Sequence, residues 1–168
     1  MAHVFALHKE SLKRKFSVYV VVAHGPNDTK LYVGKTGDNR EGCNPLISRC
    51  GNHFSYNKIH SQVRNKVEDH EDHDYVYVFD HFDDYTDEET HRRRGIDSIN
   101  EMERWLNLEI QERCQNWTNV AMLNPLSGIN YVKKDERERR KAFRTAENEK
   151  KIYAMLEEVE NQIAKYQS

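Results

Sequence analysis

The sequence predicts an α+β fold: a small mixed or antiparallel three-stranded sheet flanked by helices, with one long helix at the C-terminal end. Three observations carry this. Residues 16–22 and Leu31-Tyr32-Val33 are rich in Val and aromatics, which suit a pleated surface. The segment His24-Gly25-Pro26-Asn27-Asp28 between them is turn chemistry. Further on, apolar residues recur at helical spacing over 99–110 and again over 152–166.

The elements follow in order. Residues 2–13 read as a short helix or a loose arm, with Lys9, Lys13, Arg14 and Lys15 forming a basic cluster before the first strand. The run at 16–23 is short and continuous, so a buried strand fits better than a helix. Its alternation puts Tyr19 on one face with Val21, and Tyr32 on one face with Gly34. Gly34 ends the second strand and permits positive φ or the close approach of another group. Residues 37–45 are a loop by composition. Leu46, Ile47 and Cys50 then predict a short helix on which Arg49 and His53, four apart, share a face. Tyr56, Ile59, Val63 and Val67 predict a second amphipathic helix over 55–67. Residues 75–79, Tyr-Val-Tyr-Val-Phe, are the third strand. Ser98 and Glu101 have capping-box spacing, so a helix starts near Ile99. Its stripe is Ile99, Met102, Leu106 and Ile110, with Glu103 beside it. From Asp135 there is no Pro or Gly, and Ala142, Ile152, Leu156, Val159, Ile163 and Tyr166 mark the last helix. The expected organisation is an arm over 1–15, a domain over 16–132 and a helical extension over 133–168.

Composition bounds the function. A chain of 168 residues supports one core rather than two domains. Net charge is −2, so a nucleic-acid partner has to be argued from charge distribution. The densest basic run is Arg92-Arg93-Arg94; with Lys13, Arg14 and Lys15 it supplies candidate phosphate contacts. The acidic stretch 68–74 reads as a solvated face that repels nucleic acid. His70, His73, His81 and His91 among carboxylates fit no standard zinc or calcium spacing, and Cys43, Cys50 and His53 lack a fourth ligand. Three cysteines, an odd number, suit a reducing compartment. With no apolar stretch of spanning length and no signal-peptide core, the expectation is a soluble, cytoplasmic protein that does not enter a membrane.

Val18-Tyr19-Val20 followed by Tyr32-Val33-Gly34-Lys35-Thr36, then Arg49-x-x-x-His53 and Glu103, resembles the ordered signature of the GIY-YIG nucleases. Ser17-Val18-Tyr19 stands where Gly-Ile-Tyr would, and Leu31-Tyr32-Val33-Gly34-Lys35 resembles the version in the nucleotide-excision-repair incision subunit. The resemblance covers residues 16–131. It implies DNA cleavage with one divalent metal ion, Mg²⁺ or Mn²⁺, held by Glu103, and a site-supporting Asn124. Arg40, Glu109 and Asn130 are the rivals of Arg49, Glu103 and Asn124. The loop at 37–45 lengthens the family's spacing between glycine and arginine.

Such chemistry needs an activated water, a charge sink and a stabilised leaving oxygen. A free tyrosine has a pKa of about 10 and is a poor base, but a neighbouring cation brings its phenolate within reach. Tyr19 or Tyr32 would take the proton. Arg49 would stabilise phosphoryl charge, Lys35 would assist, and His53 would orient or relay. The alternative, suggested by the degenerate first motif and the acidic balance, is a catalytically inactive DNA-binding or assembly module on the same fold. The C-terminal stripe is expected either to pair two copies or to dock on its own domain.

Overall fold

The computed structural model describes residues 1–37, 43–127 and 132–167. The order is β1 (Lys15–His24), β2 (Thr29–Lys35), α1 (Leu46–Phe54), β3 (Asp74–Asp84), α2 (Glu89–Cys114), β4 (Val120–Met122), α3 (Lys134–Arg140) and α4 (Ala146–Gln167). The fold class is α+β, as expected, but the mixed sheet has four strands, in the order β3-β1-β2-β4. β1 pairs antiparallel with both β2 and β3, while β4 runs parallel to β2. β4 is only three residues long, too short to show a period. Tertiary bonds hold it: Thr29 N–H donates to Asn119 O at 2.9 Å and Leu123 N–H to Leu31 O at 2.8 Å.

β1 is buried from Phe16 to His24, and its two faces do different work. Val18, Val20 and Val22 pack with Leu31, Val33 and Val78 under Ile99, Met102, Leu106 and Ile110 of α2 and Ile152, Leu156, Val159 and Ile163 of α4. Tyr19 and Val21 face the opposite way and join Leu46, Val63 and Val67 in a second, smaller cluster.

Three expectations need correction. α2 begins at Glu89, ten residues before the expected start near Ile99, because the Glu88 carboxylate accepts from Thr90 N–H at 3.0 Å and His91 N–H at 2.8 Å and so caps an earlier start. Residues 55–67 form turns and a single 3₁₀ turn at Arg64–Lys66, not an amphipathic helix. Polar side chains take the backbone there: Ser61 hydroxyl donates to Asn57 O at 2.5 Å, Arg64 Nε to Ser55 O at 2.8 Å, and Asn57 Oδ1 accepts from Ile59 N–H at 2.9 Å. Such bonds compete with the helical ladder. Val63 and Val67 remain buried while Tyr56 and Ile59 lie open. The third correction concerns the last helix. Ala142 precedes it and is exposed, Tyr166 is exposed, and the stripe starts at Ile152. That stripe packs in the same core as β1 and α2. Of the two expectations for it, docking on its own domain accounts for the burial of these residues. No described helix is long and apolar enough to cross a membrane.

Ile152 is fully buried, so Ile152→Ala should cost about 3 kcal/mol through lost packing and a residual cavity. A chain ended near Lys141 should lose cooperative unfolding altogether. Urea denaturation followed by circular dichroism checks both; a truncated chain that unfolds as cooperatively as the whole would refute the docking role of α4.

Candidate active site

Pairing β1 with β2 sets Tyr19 opposite Gly34 and Val21 opposite Tyr32. A Cβ at Gly34 would fall inside the Tyr19 phenol, so here the glycine serves close approach; its φ is not positive. α1 starts after Pro45 and lays Arg49 and His53 over this face. Together these elements and α2 form a cleft of about 270 Å³ lined by Tyr19, Tyr32, Gly34, Lys35, Arg49, Asn52, His53, His60, Gln62 and Glu103.

His53 is the hub. It is 4% exposed. Its Nε2 lies 3.0 Å from the Tyr19 hydroxyl and its Nδ1 lies 2.7 Å from the Tyr77 hydroxyl. The ring stacks on Tyr77 and meets Tyr32 edge-on. Burial, helped by the neighbouring Arg49 charge, lowers its pKa to about 4, so the ring is neutral at ordinary pH. A neutral imidazole donates from one nitrogen and accepts at the other, and the two phenols must therefore play opposite parts. Tyr77 keeps its proton, because burial, then Cys50 and the neighbouring phenols, push its pKa far up. If Tyr77 donates to Nδ1, the Nε2–H points at the Tyr19 oxygen. Tyr32 is also shifted up, first by burial and then by the Glu103 carboxylate, with Arg49 opposing.

On the α2 side of the cleft, Lys35 Nζ donates to Asn100 Oδ1 and lies 3.9 Å from Glu103 Oε1. Glu103 is the only carboxylate among the described residues that line the cleft. Glu109 is turned away into an ion pair with Arg113 at 2.5 Å. No three His, Cys, Asp or Glu side chains of the described residues gather in metal-holding geometry. A hard cation fits the Glu103 oxygens as donors, with water and substrate oxygens completing its shell, which is how Mg²⁺ is commonly held.

Asn124 stands behind the site. Its Oδ1 accepts from Val33 N–H at 3.0 Å and its Nδ2 donates to Val33 O at 2.7 Å. One side chain thus continues the β2 edge beyond β4. Asn107, buried in α2, donates to Asn124 O at 3.0 Å.

Six residues singled out in the sequence, Tyr19, Tyr32, Lys35, Arg49, His53 and Glu103, thus meet in one cleft with Gly34. The basic residues do not join them. Lys13 pairs with Glu10, Lys15 with Asp84 and Arg93 with Glu89. Arg14 bonds Cys43 O and covers the Tyr85 ring. Arg94 lines a separate hollow beside Phe143, and Arg92 lies outside the cleft on the first turns of α2. Arg40 and Asn130 fall outside the described residues. Sequence reasoning missed Asn52, His60, Gln62 and Tyr77. Asn52 follows Arg49 by three and was legible from helical spacing. Tyr77 shares a strand face with Phe79 by alternation, but the pairing that aims it at His53 is tertiary. His60 and Gln62 lie in the irregular segment and carried no signal.

A scan of protein-family models, a search of curated proteins and a search of solved structures each found no match to this chain.

The depressed His53 pKa has a thermodynamic signature. The unfolded ring, with a pKa near 6.5, binds a proton that the folded ring refuses down to about pH 4. The stabilising contribution is complete above the unfolded value and is lost as pH falls through the folded one. At full development it amounts to about 3 kcal/mol. His53→Gln should therefore flatten that part of the stability profile between these two values. Denaturation titrations of both proteins across the window check it; identical pH slopes would mean that His53 is not held neutral.

Proposed function

We propose that this chain is a divalent-metal-dependent endonuclease of the GIY-YIG type, hydrolysing phosphodiester bonds in DNA. The observation that supports this best is convergence: residues scattered from 19 to 103, chosen for one chemistry, line a single cleft. Three cysteines, an odd number, accord with action inside the cell.

The residues divide the work. Arg49 and Lys35 present two cations to the phosphate and take up the charge that grows on its oxygens in the transition state. As a phenolate stabilised by His53 Nε2–H, the Tyr19 oxygen takes the proton of the attacking water and becomes the neutral phenol, while the hydroxide so formed attacks the phosphorus. Tyr19 is favoured over Tyr32 because it bonds His53 directly. Tyr77 fixes the His53 tautomer from behind. Glu103 would hold Mg²⁺ or Mn²⁺, which when bound supplies charge neutralisation at the phosphate and eases departure of the leaving oxygen. Lys35 Nζ lies 3.9 Å from that carboxylate.

Incubation with supercoiled plasmid and Mg²⁺ tests the reading. Wild-type protein should nick or linearise it. Glu103→Gln should abolish cleavage with DNA affinity largely kept, and Arg49→Ala should slow turnover about 10²–10³-fold, as loss of an oxyanion donor does. Cleavage by Glu103→Gln at the wild-type rate would remove the metal ligand. DNA binding by the wild type without cleavage would make the chain a binding or assembly module instead.

A second expectation concerns the ionisation of Tyr32. Because Glu103 raises its pKa, Glu103→Gln should lower it, whatever the activity. Ultraviolet difference titration of the tyrosines, with Tyr32→Phe as the assignment control, reads the shift. An unmoved Tyr32 titration would show that the two groups do not sense each other.

A further inference from the structure

The two edges of the sheet are finished differently. On the β4 side, Asn124 takes up both backbone groups of Val33. On the other side β3 is eleven residues long and, among the described residues, has β1 as its only neighbour in the sheet. His81 shows which way its backbone turns: its N–H is taken by the Asp80 side chain and its carbonyl by Lys151 Nζ, at 2.7 and 2.8 Å. Its partner on β1, Ser17, meanwhile accepts from Thr36 on the β2 side. By the alternation of antiparallel pairing, Phe79, Tyr77 and Tyr75 also turn N–H and C=O outward.

That edge is the floor of a groove of about 630 Å³ running along Val76 to His81, with Glu158 and Gln162 of α4 on one side and His8 and Glu10 on the other. The two sides differ in chemistry. Val76 and Val78 pack in the α4-side core, and alternation puts Asp80 on the same face, so this side offers Asp80 and Glu158. Tyr75, Tyr77 and Phe79 belong to the opposite cluster. There an apolar hollow runs between Phe5, Leu7 and His8 of the arm and Leu46, Ile47 and Cys50 of the first helix segment, with Val4, Phe5 and Leu7 exposed. A strand added to β3 would present alternate side chains to these two sides.

From this arrangement we infer that the outer edge of β3 docks an extended peptide of a partner protein, in which lysine or arginine alternates with apolar residues. Main-chain bonds to Tyr77 and Phe79 supply attachment, as in other strand-addition modes. The basic side chains meet Asp80 and Glu158, and the apolar ones cover Tyr77, Phe79 and the arm. Charge also selects the occupant. A second copy pairing β3 to β3 would set Asp80 and Glu158 on the same face as their equivalents, and like charges there oppose it. Lys151, lying over Phe82 and bonded to His81 O, closes one end of the groove.

The test uses the full chain and three fluorescein-labelled peptides: alternating lysine and valine, alternating glutamate and valine, and the lysine–valine composition arranged as two blocks. Fluorescence anisotropy should show the alternating basic peptide binding more tightly than either control. Glu158→Lys, a substitution at the groove's rim, should weaken it about ten-fold. Phe79→Pro removes one outward N–H and should abolish it, with circular dichroism confirming the fold. Equal binding of the three peptides, or indifference to Glu158→Lys, would overturn the inference. So would a protein dimer that Phe79→Pro converts to monomer, since the occupant would then be a second copy.

Discussion

The burial of β1 on both faces is the constraint from which the rest follows. A strand alternates its side chains, so one sequence of ten residues has to satisfy two surroundings at once. Val18, Val20 and Val22 supply the apolar face on which α2 and α4 close. Tyr19 and Val21 supply the face on which α1 closes. A shift of register by one residue would send Tyr19 into the large core and a valine into the cleft. The position of the phenol is therefore guaranteed by the same burial that stabilises the fold.

What Tyr19 meets on its face is a second consequence. Gly34 opposite leaves room for the ring, and His53 closes above it. Buried polar groups are costly unless bonded, and here the imidazole satisfies both phenols and is satisfied by them. The cluster of Tyr19, His53 and Tyr77 holds a neutral ring in a setting where a charged one would be opposed by burial and by Arg49. The opposite end of the cleft is charged instead, with Lys35 and Glu103 facing each other at partial exposure. A desolvated end built on a neutral imidazole and a wetter, charged end lie in one small space, which supports the proposed phosphodiester hydrolysis.

The scaffold protects this geometry unequally. Asn124 and Asn107 tie the β2 edge to α2 and fix the strand that carries Tyr32, Gly34 and Lys35. β3, which carries Tyr77, keeps an open edge. Its hold on the sheet comes from β1 on one side and α4 beneath, with Lys151 reaching over to His81. Tyr77 thus links the cleft to the strand whose outer edge is free.

The sequence by itself determined what depends on local chemistry. Val-rich runs around a Gly-Pro-Asn-Asp turn dictate the β1–β2 hairpin, helical spacing puts Arg49 beside His53, and the apolar stripe of α2 carries Glu103. Tyr19, Tyr32, Lys35, Arg49, His53 and Glu103 stood out through these periods together with the resemblance to the GIY-YIG signature. Tertiary structure decided the rest. β4 exists because β2 offers it an edge; three residues cannot announce a strand. Residues 55–67 have helical periodicity, yet Ser61, Asn57 and Arg64 bond the backbone away from it. Glu88 moved the start of α2 through a cap that a carboxylate supplies as well as a serine. Glu103 and Glu109 were both candidates along one helix, and only packing turned one toward Lys35 and the other toward Arg113. The stripe of α4 was ambiguous between a partner and its own domain, because periodicity records that a face is apolar and not what covers it.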